Sequence, residues 1–212
     1  YMLRPGQAEQ LADFVERGGI LLCTAPTGVV DEHDLAFTNG RPGPLRSLFG
    51  VWAEEMDAAD EGGVELVPAE GDPLGMGRQR GGSICELLHA EGCEVLATYA
   101  GTWYAGRPVL TRRRHGKGWA YYLGTRGTPA LLDALIPRLA ADAGITAVLP
   151  DLPAPITAHR RGDHLFLLNW GREERSLGLP APARDLLGAA DSVTKVTLPA
   201  WGAAVMGDFG KD

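Results

Sequence analysis

Several features are missing or scarce in this sequence. It contains no run of roughly 18 apolar residues, the length that a membrane-spanning helix needs, so we expect no membrane-spanning segment and no membrane partner. It has no excess of basic residues: 20 Lys and Arg stand against 27 Asp and Glu, and the net charge of −7 argues against a nucleic acid as the partner. Cysteine is scarce as well, because three residues in 212 cannot build a disulfide framework.

The amino terminus shows two further absences. The opening residues, Tyr1 to Pro5, have none of the basic, apolar and small-residue regions of a secretory signal, so we expect a cytoplasmic location. No strand precedes the first helical pattern, although the residues that follow have the order of an α/β unit. We therefore expect that the first strand of this unit is missing and that the sequence is a piece of a longer protein.

Residues 1–149 are predicted to form an α/β domain with a mostly parallel sheet. Leu11, Phe14 and Val15 recur at helical spacing, and the pair Gly18-Gly19 ends this helix. The apolar run 20–24 that follows is typical of a strand buried on both faces of a parallel sheet.

The rest of this domain has a clear hairpin and a second helix. Residues 107–114 and 119–123 alternate as two strands around a glycine-containing turn, and Leu131, Leu135 and Leu139 lie on one face of a later helix. Pro137 lies inside that helix and is expected to kink or shorten it.

Residues 150–212 are predicted to form a second domain. Three prolines within residues 150–155 indicate a stiff connection, and five short strand patterns follow without a helical one. Such a series predicts a small antiparallel β-sandwich.

Candidate catalytic groups are few. Glycoside hydrolysis needs two facing carboxyl groups, but Glu54 and Glu55 are adjacent on a predicted strand and point to opposite faces. Cys23 lies where the buried strand meets a turn, which leaves open a hydrolase with Cys23 as its nucleophile. No base can be identified near it in the sequence, and a free cysteine in an apolar strand more often packs as a small hydrophobic group.

A cluster of acidic residues and histidine, 31–34, resembles a metal site in composition. Asp31 and Asp34 are equally suited to cap a turn, and no second group of Cys or His has zinc spacing. The sequence therefore predicts no metal and no cofactor.

Two loops are predicted to present contact residues. Residues 27–44 form a long polar excursion, and residues 101–106 carry two aromatic side chains between glycines. Exposed aromatics serve a protein interface or the stacking of a sugar, so a carbohydrate-binding module, here or in the second domain, is a further alternative. The candidate interface residues are Asp31, His33, Asp34, Arg41, Pro42, Pro44, Trp103 and Tyr104.

Four stretches together resemble the C-terminal half of the family-42 glycoside hydrolases, the microbial β-galactosidases. They are residues 21–24 with 28–35, residues 40–46, residues 97–99 with 106–108, 116–118 and 121–125, and residues 166–169 with 198–205.

The resemblance implies a trimerisation domain over residues 1–149, similar in fold to class I glutamine amidotransferases and flavodoxin, and a small C-terminal β domain. It implies a retaining β-galactosidase as the parent enzyme, whose two catalytic glutamates lie on a barrel that this sequence does not include, so no catalytic residue is carried over. In the amidotransferase fold the nucleophile stands about six positions after the second glycine, which is Ala25 here and not Cys23. The expected role is assembly as a bacterial homotrimer.

Overall fold

The computed structural model describes residues 1–188 and 190–209. These residues separate into two compact units, Tyr1–Ile145 and Thr146–Asp212. No helix among them combines the length and the apolar character needed to cross a membrane.

Helices are few in the described residues. They are α1 (Gln7–Glu16), the one-turn α2 (Arg46–Phe49), which continues a 3₁₀ turn at Gly43–Leu45, and α3 (Pro129–Asp142). Thr128 caps α3 by accepting a hydrogen bond from the Leu131 N–H, and the helix continues through Pro137.

The strands of the first unit form a six-stranded sheet and a two-stranded ribbon. The sheet has the order β1-β8-β7-β6-β3-β4, and the ribbon pairs β2 with β5. The strands are β1 (Ile20–Thr24), β2 (Val51–Ala58), β3 (Val64–Pro68), β4 (Gln79–Gly81), β5 (Ile84–Ala90), β6 (Glu94–Ala100), β7 (Pro108–His115) and β8 (Gly118–Leu123).

This architecture shows that the expected mostly parallel, flavodoxin-like fold is wrong. Only β1 and β8 pair in parallel; every other strand pair of the sheet is antiparallel. The physical reason is the scarcity of helices, since each parallel neighbour needs a long crossover whereas antiparallel neighbours need only a turn. The predicted hairpin is confirmed as β7 and β8, with Arg112 opposite Tyr121.

Strand β8 shows how the sheet is buried on both faces. Tyr121 and Leu123 point into an apolar cluster with Leu131 and Leu135 of α3. Tyr122, on the opposite face, belongs to a second cluster with residues of α1, α2, β2 and β5. The alternation of side chains along the strand thus places one apolar layer on each side of it.

The second unit consists of one five-stranded antiparallel sheet of order β12-β11-β13-β10-β9. The expected sandwich of two sheets is replaced by this single sheet, whose apolar cluster includes Leu165, Leu167, Leu198 and Met206. Its strands are β9 (Ile156–Arg161), β10 (His164–Asn169), β11 (Arg175–Asp185), β12 (Ala190–Leu198) and β13 (Ala203–Gly207).

Candidate subunit interface

The long loop between β1 and β2 is anchored by a buried ion pair. Arg41 Nε donates to Glu86 Oε1 at 2.8 Å, and the Tyr122 hydroxyl donates to Glu86 Oε2 at 2.7 Å. Glu86 is fully buried on β5. Burial raises the pKa of Glu86, while the hydrogen bonds from Tyr122 and Arg41 and the charge of Arg41 oppose that rise. The Ala53 N–H donates to the Arg41 carbonyl at 2.9 Å, so the end of the loop is fixed to the ribbon.

The start of the loop is fixed by close backbone packing. Gly28 has a φ of +61°, and a Cβ at this position would overlap the carbonyl group of Pro42. Gly43 has a φ of +58° and packs in the same way against the ring of Phe37. The two ends of the loop therefore lie against each other, which leaves the middle of the loop to project from the unit.

The projecting middle of the loop is an ordered turn. Asp31 Oδ1 accepts hydrogen bonds from the N–H groups of His33 at 2.8 Å and Leu35 at 3.0 Å. These two bonds make the carboxylate a turn-forming group, and they also lower the pKa of Asp31. His33, Asp34 and Leu35 are exposed. No group of three or more His, Cys, Asp or Glu side chains that could hold a metal ion is found in the described part of the chain.

The residues predicted at this loop therefore have different environments. His33, Asp34 and Pro44 are exposed in the isolated chain, whereas Pro42 is buried and Arg41 points to Glu86. Arg41 and Pro42 serve to hold the loop in place rather than to face outwards.

The second predicted loop presents one tryptophan. Trp103 is 75% exposed, and its ring packs edge-on against Tyr104 at a centroid distance of 5.1 Å. Tyr104 is buried, also contacts Tyr99 edge-on, and has its pKa raised by burial. The Gly106 N–H donates to the Tyr99 carbonyl at 2.8 Å. The buried ring of Tyr104 and the backbone hydrogen bond between Gly106 and Tyr99 thus fix the position of the exposed Trp103.

Sequence reasoning missed a polar cluster on the ribbon. His89 Nε2 lies 2.8 Å from Glu54 Oε2, and Arg107 Nη1 lies 3.8 Å from the same carboxylate oxygen. Trp52 stacks on His89 with a centroid distance of 4.8 Å and an interplanar angle of 24°. The hydrogen bond from His89 lowers the pKa of Glu54.

The register of the two ribbon strands is what brings the residues of this cluster together. Trp52 and His89 are directly opposite in the ribbon, so their side chains share a face. Glu91, the acidic residue near His89 in the sequence, does not belong to this cluster, because it pairs with Arg46.

Cys23 is in a poor environment for a nucleophile. It lies on β1, and burial raises the pKa of its thiol even though a hydrogen bond with Thr27 opposes the rise. A raised pKa lowers the thiolate fraction at neutral pH, and the thiolate is the reactive form. The geometry therefore favours a packing role for Cys23.

The second unit presents two tryptophans on adjoining turns. Trp170 is 56% and Trp201 63% exposed, and the Trp201 N–H donates to the Gly171 carbonyl at 3.1 Å. The buried Asn169 amide nitrogen donates to the carbonyls of Glu173 at 2.8 Å and Pro199 at 2.9 Å. Asn169 thus ties both turns together.

Family models match both units of the chain. Residues 1–146 match the model described as the β-galactosidase trimerisation domain, and residues 156–206 match that of the β-galactosidase C-terminal domain, both of glycoside hydrolase family 42.

Curated relatives and solved structures agree with these matches. β-Galactosidase BglY of Alicyclobacillus acidocaldarius is 44% identical to this chain, and the match covers 97% of this chain and 31% of BglY. β-Galactosidase Pbg of Clostridium perfringens is 41% identical, and the match covers 84% of this chain and 27% of Pbg. Crystal structures of the β-galactosidases from Bacillus circulans sp. alkalophilus and Rahnella sp. R3 have TM-scores of 0.86 and 0.83 at 35% and 36% identity, each covering 97% of this chain and 31% of that chain. The chain thus spans less than a third of the length of these relatives.

Proposed function

Since the chain belongs to the family-42 β-galactosidases, we propose that it serves the assembly of a longer β-galactosidase as part of a homotrimer. The hydrolysis of terminal β-galactosides then belongs to a barrel outside these residues. The observation that carries the proposal is the match of residues 1–146 to a domain described by its role in trimerisation.

Three carboxylates of the first unit fit a catalytic site that lies outside these residues. Glu54, Glu86 and Glu91 each have a cationic or histidine partner within hydrogen-bond distance. A retaining glycosidase instead needs one carboxylate free to attack and one carboxyl group that carries a proton. These three groups are therefore structural in this chain.

The contact surface in this proposal consists of the tip of the first loop, residues 31–35, and Trp103. Leu35 is 63% exposed and Trp103 75% exposed, and each is held by ordered backbone. Exposed aromatic side chains on a preformed surface contribute most strongly to protein association, because their burial releases much water at a small cost in conformational entropy.

Analytical ultracentrifugation of the 212-residue chain from micromolar to near-millimolar concentration tests this proposal. We expect trimers in the wild-type chain and a weaker association in Trp103→Ala. The matched control is Trp201→Ala, which removes another exposed tryptophan, 63% exposed, from the other unit and should leave the association unchanged. A wild-type chain that is monomeric at every concentration would refute self-assembly by these residues.

A second candidate function is the binding of a galactoside by the second unit. The exposed Trp170 and Trp201 on turns held by Asn169 favour it, since indole rings stack on the apolar face of a sugar. Titration calorimetry with galacto-oligosaccharides, repeated with Trp170→Ala, tests it. An absence of heat in the wild-type chain would dismiss this function.

A further inference from the structure

The two loops of the proposed contact surface leave the six-stranded sheet at the same end. Thr24, the last residue of β1, pairs with Leu123 at the end of β8, and the long loop with its tip, residues 31–35, follows Thr24. Leu123 also pairs with Leu110 near the start of β7, so the loop that carries Trp103 and precedes β7 leaves the sheet at this end as well. We call this end of the first unit the head.

The opposite end of the same strands carries a cationic and aromatic patch. Arg114 and Trp119 are directly opposite each other on β7 and β8, next to the turn of the hairpin. The Cζ atoms of Arg112 and Arg114 lie 4.9 Å and 5.0 Å from the centroid of the Trp119 ring. Arg114 Nε also donates to the Gly116 carbonyl at 3.1 Å, which fixes its side chain. We call Arg112, Arg114, Lys117 and Trp119 the tail patch.

The tail patch has positive charge available for a partner. Arg112 is paired with Glu94 at 2.7 Å. Within the described ranges, neither Arg114 nor Lys117 forms an ion pair with a carboxylate. Both side chains are exposed, and Trp119 is half-buried beside them. Trp and Arg are the residue types that contribute most to protein association, so the patch is suited to bind an acidic surface.

The tip of the long loop has the opposite charge. Residues 31–34 contribute three carboxylates, and a bridge between Val30 and Ala36 closes the turn that carries them. Glu32 and Asp34 are exposed. The tip therefore presents an ordered concentration of negative charge at the head.

A closed homotrimer needs two different surfaces on each copy. A surface that binds the same surface of a second copy gives a twofold dimer, whereas a threefold ring joins one patch of each copy to another patch of the next. The tail patch lies at the other end of β8 (Gly118–Leu123), a strand about 20 Å long, and its charge is opposite to that of the tip. Head and tail are thus two separate and complementary surfaces.

The directions of these two surfaces fit a ring. Trp119 packs against the apolar cluster that includes Leu131 and Leu135 of α3, so the tail patch lies on the face of the sheet that carries this helix. The loops of the head instead extend beyond the ends of the strands. Successive copies therefore meet at an angle, which favours closure after a few copies over a straight filament.

A second group of arginines, on and beside β4, is less suited to this contact. Arg78 is paired with Glu65, and Arg80 donates to the carbonyls of Gly62 and Gly63. Both guanidinium groups are therefore already engaged within the chain. The tail patch is the better complement to the acidic tip.

We propose that the acidic tip of one copy binds the tail patch of the next copy in the ring. Glu32 and Asp34 face Arg114 and Lys117 across this contact, beside the half-buried ring of Trp119. Opposite charges also steer the two surfaces together, while repulsion between two acidic tips disfavours a contact between two heads. This inference rests on the proposed homotrimer and names the two surfaces that form it.

Charge reversal followed by analytical ultracentrifugation tests the pairing. We expect Glu32→Lys and Lys117→Glu each to raise the concentration of half-association at least about tenfold, because like charges then face each other. The double variant should recover most of the association, since opposite charges face each other again. Lys195→Glu is the matched control: it makes the same charge change at an exposed position of β12 in the second unit and should associate like the wild-type chain.

The outcomes separate this pairing from the assembly role itself. A trimeric wild-type chain whose association changes no more in Lys117→Glu than in Lys195→Glu would overturn the pairing and leave the assembly role intact. A double variant that associates as weakly as the two single variants would overturn it too. A wild-type chain that is monomeric at every concentration would refute the homotrimer, and the pairing with it.

Discussion

The carboxylate of Glu86 is fully buried in the first unit. Removing a carboxylate from water is tolerated only when a positive charge and hydrogen bonds compensate it. Arg41 and Tyr122 provide these, one from the long loop and one from β8. The ion pair thus couples the position of the loop to the sheet.

We expect Arg41→Ala to lower the free energy of unfolding by about 2–3 kcal/mol at neutral pH, because it leaves Glu86 buried without a cation. Urea denaturation measures the change. Arg46→Ala is the matched control, since the side chains of its pair with Glu91 are 35% and 38% exposed and the loss of this pair should cost far less.

The effect of Arg41→Ala should also depend on pH. Burial raises the pKa of Glu86 above the ordinary value of 4.5, and loss of Arg41 raises it further. A carboxyl group whose pKa is higher in the folded state than in the unfolded state lowers the free energy of unfolding at pH values above its folded-state pKa. It has no effect on the free energy of unfolding below the unfolded-state pKa, where the group is protonated in both states. The difference from wild type should therefore shrink as the pH falls towards 4.5; a constant difference would contradict this account.

At the scale of elements, the long loop depends on glycines where its two ends meet. Gly28 has a φ of +61° and no room for a Cβ, whereas Gly144, after α3, has a φ of +67° and no atom within 4 Å of a Cβ position. The same substitution at these two positions separates the cost of the left-handed backbone from that of the close contact.

We expect Gly144→Ala to cost about 1 kcal/mol, the left-handed penalty alone. Gly28→Ala should cost at least about 2 kcal/mol, because the overlap with Pro42 adds to that penalty. Thermal unfolding of both variants checks the order. Equal losses would show that the two ends of the loop do not meet in solution.

The helices and strands also show which features of the fold sequence patterns can predict. The spacing of Leu11, Phe14 and Val15 located α1, and the apolar run 20–24 located β1, because local patterns reflect which side chains must be buried. The pairing of the strands could not be predicted from these local patterns. The parallel pairing inferred from α1 and β1 is found within the sheet only between β1 and β8. Strand β8 pairs on its other side with β7 in an antiparallel hairpin.

At the scale of the whole molecule, the proposal of an assembly role predicts a chain without hydrolase activity. We expect the purified 212-residue chain to hydrolyse neither a chromogenic β-galactoside nor simple amides and esters. The reasons are that the proposal places the catalytic glutamates on a barrel outside these residues, and that burial raises the pKa of Cys23. Hydrolysis by the wild-type chain that is lost in Cys23→Ala would contradict this expectation. It would support a hydrolase with Cys23 as its nucleophile.

The candidate contact surface was only partly accessible to sequence reasoning. Trp103 was found because an aromatic residue between glycines indicates an ordered, exposed turn. Tyr104, its neighbour, has the opposite environment, and nothing local distinguishes the two. The contact between Glu54 and His89 depends on the register of the ribbon, which joins positions 35 residues apart.

The sequence by itself indicated the family, through the four stretches that resemble it, and it located α1, β1, the β7–β8 hairpin and α3, because local patterns of apolar and turn-forming residues mark such elements. Only the tertiary structure decided which strands are neighbours, which of the predicted contact residues face water, and that Arg41 pairs with the buried Glu86. These properties depend on which distant segments meet, and the free energy of such contacts is not contained in any short stretch of the chain.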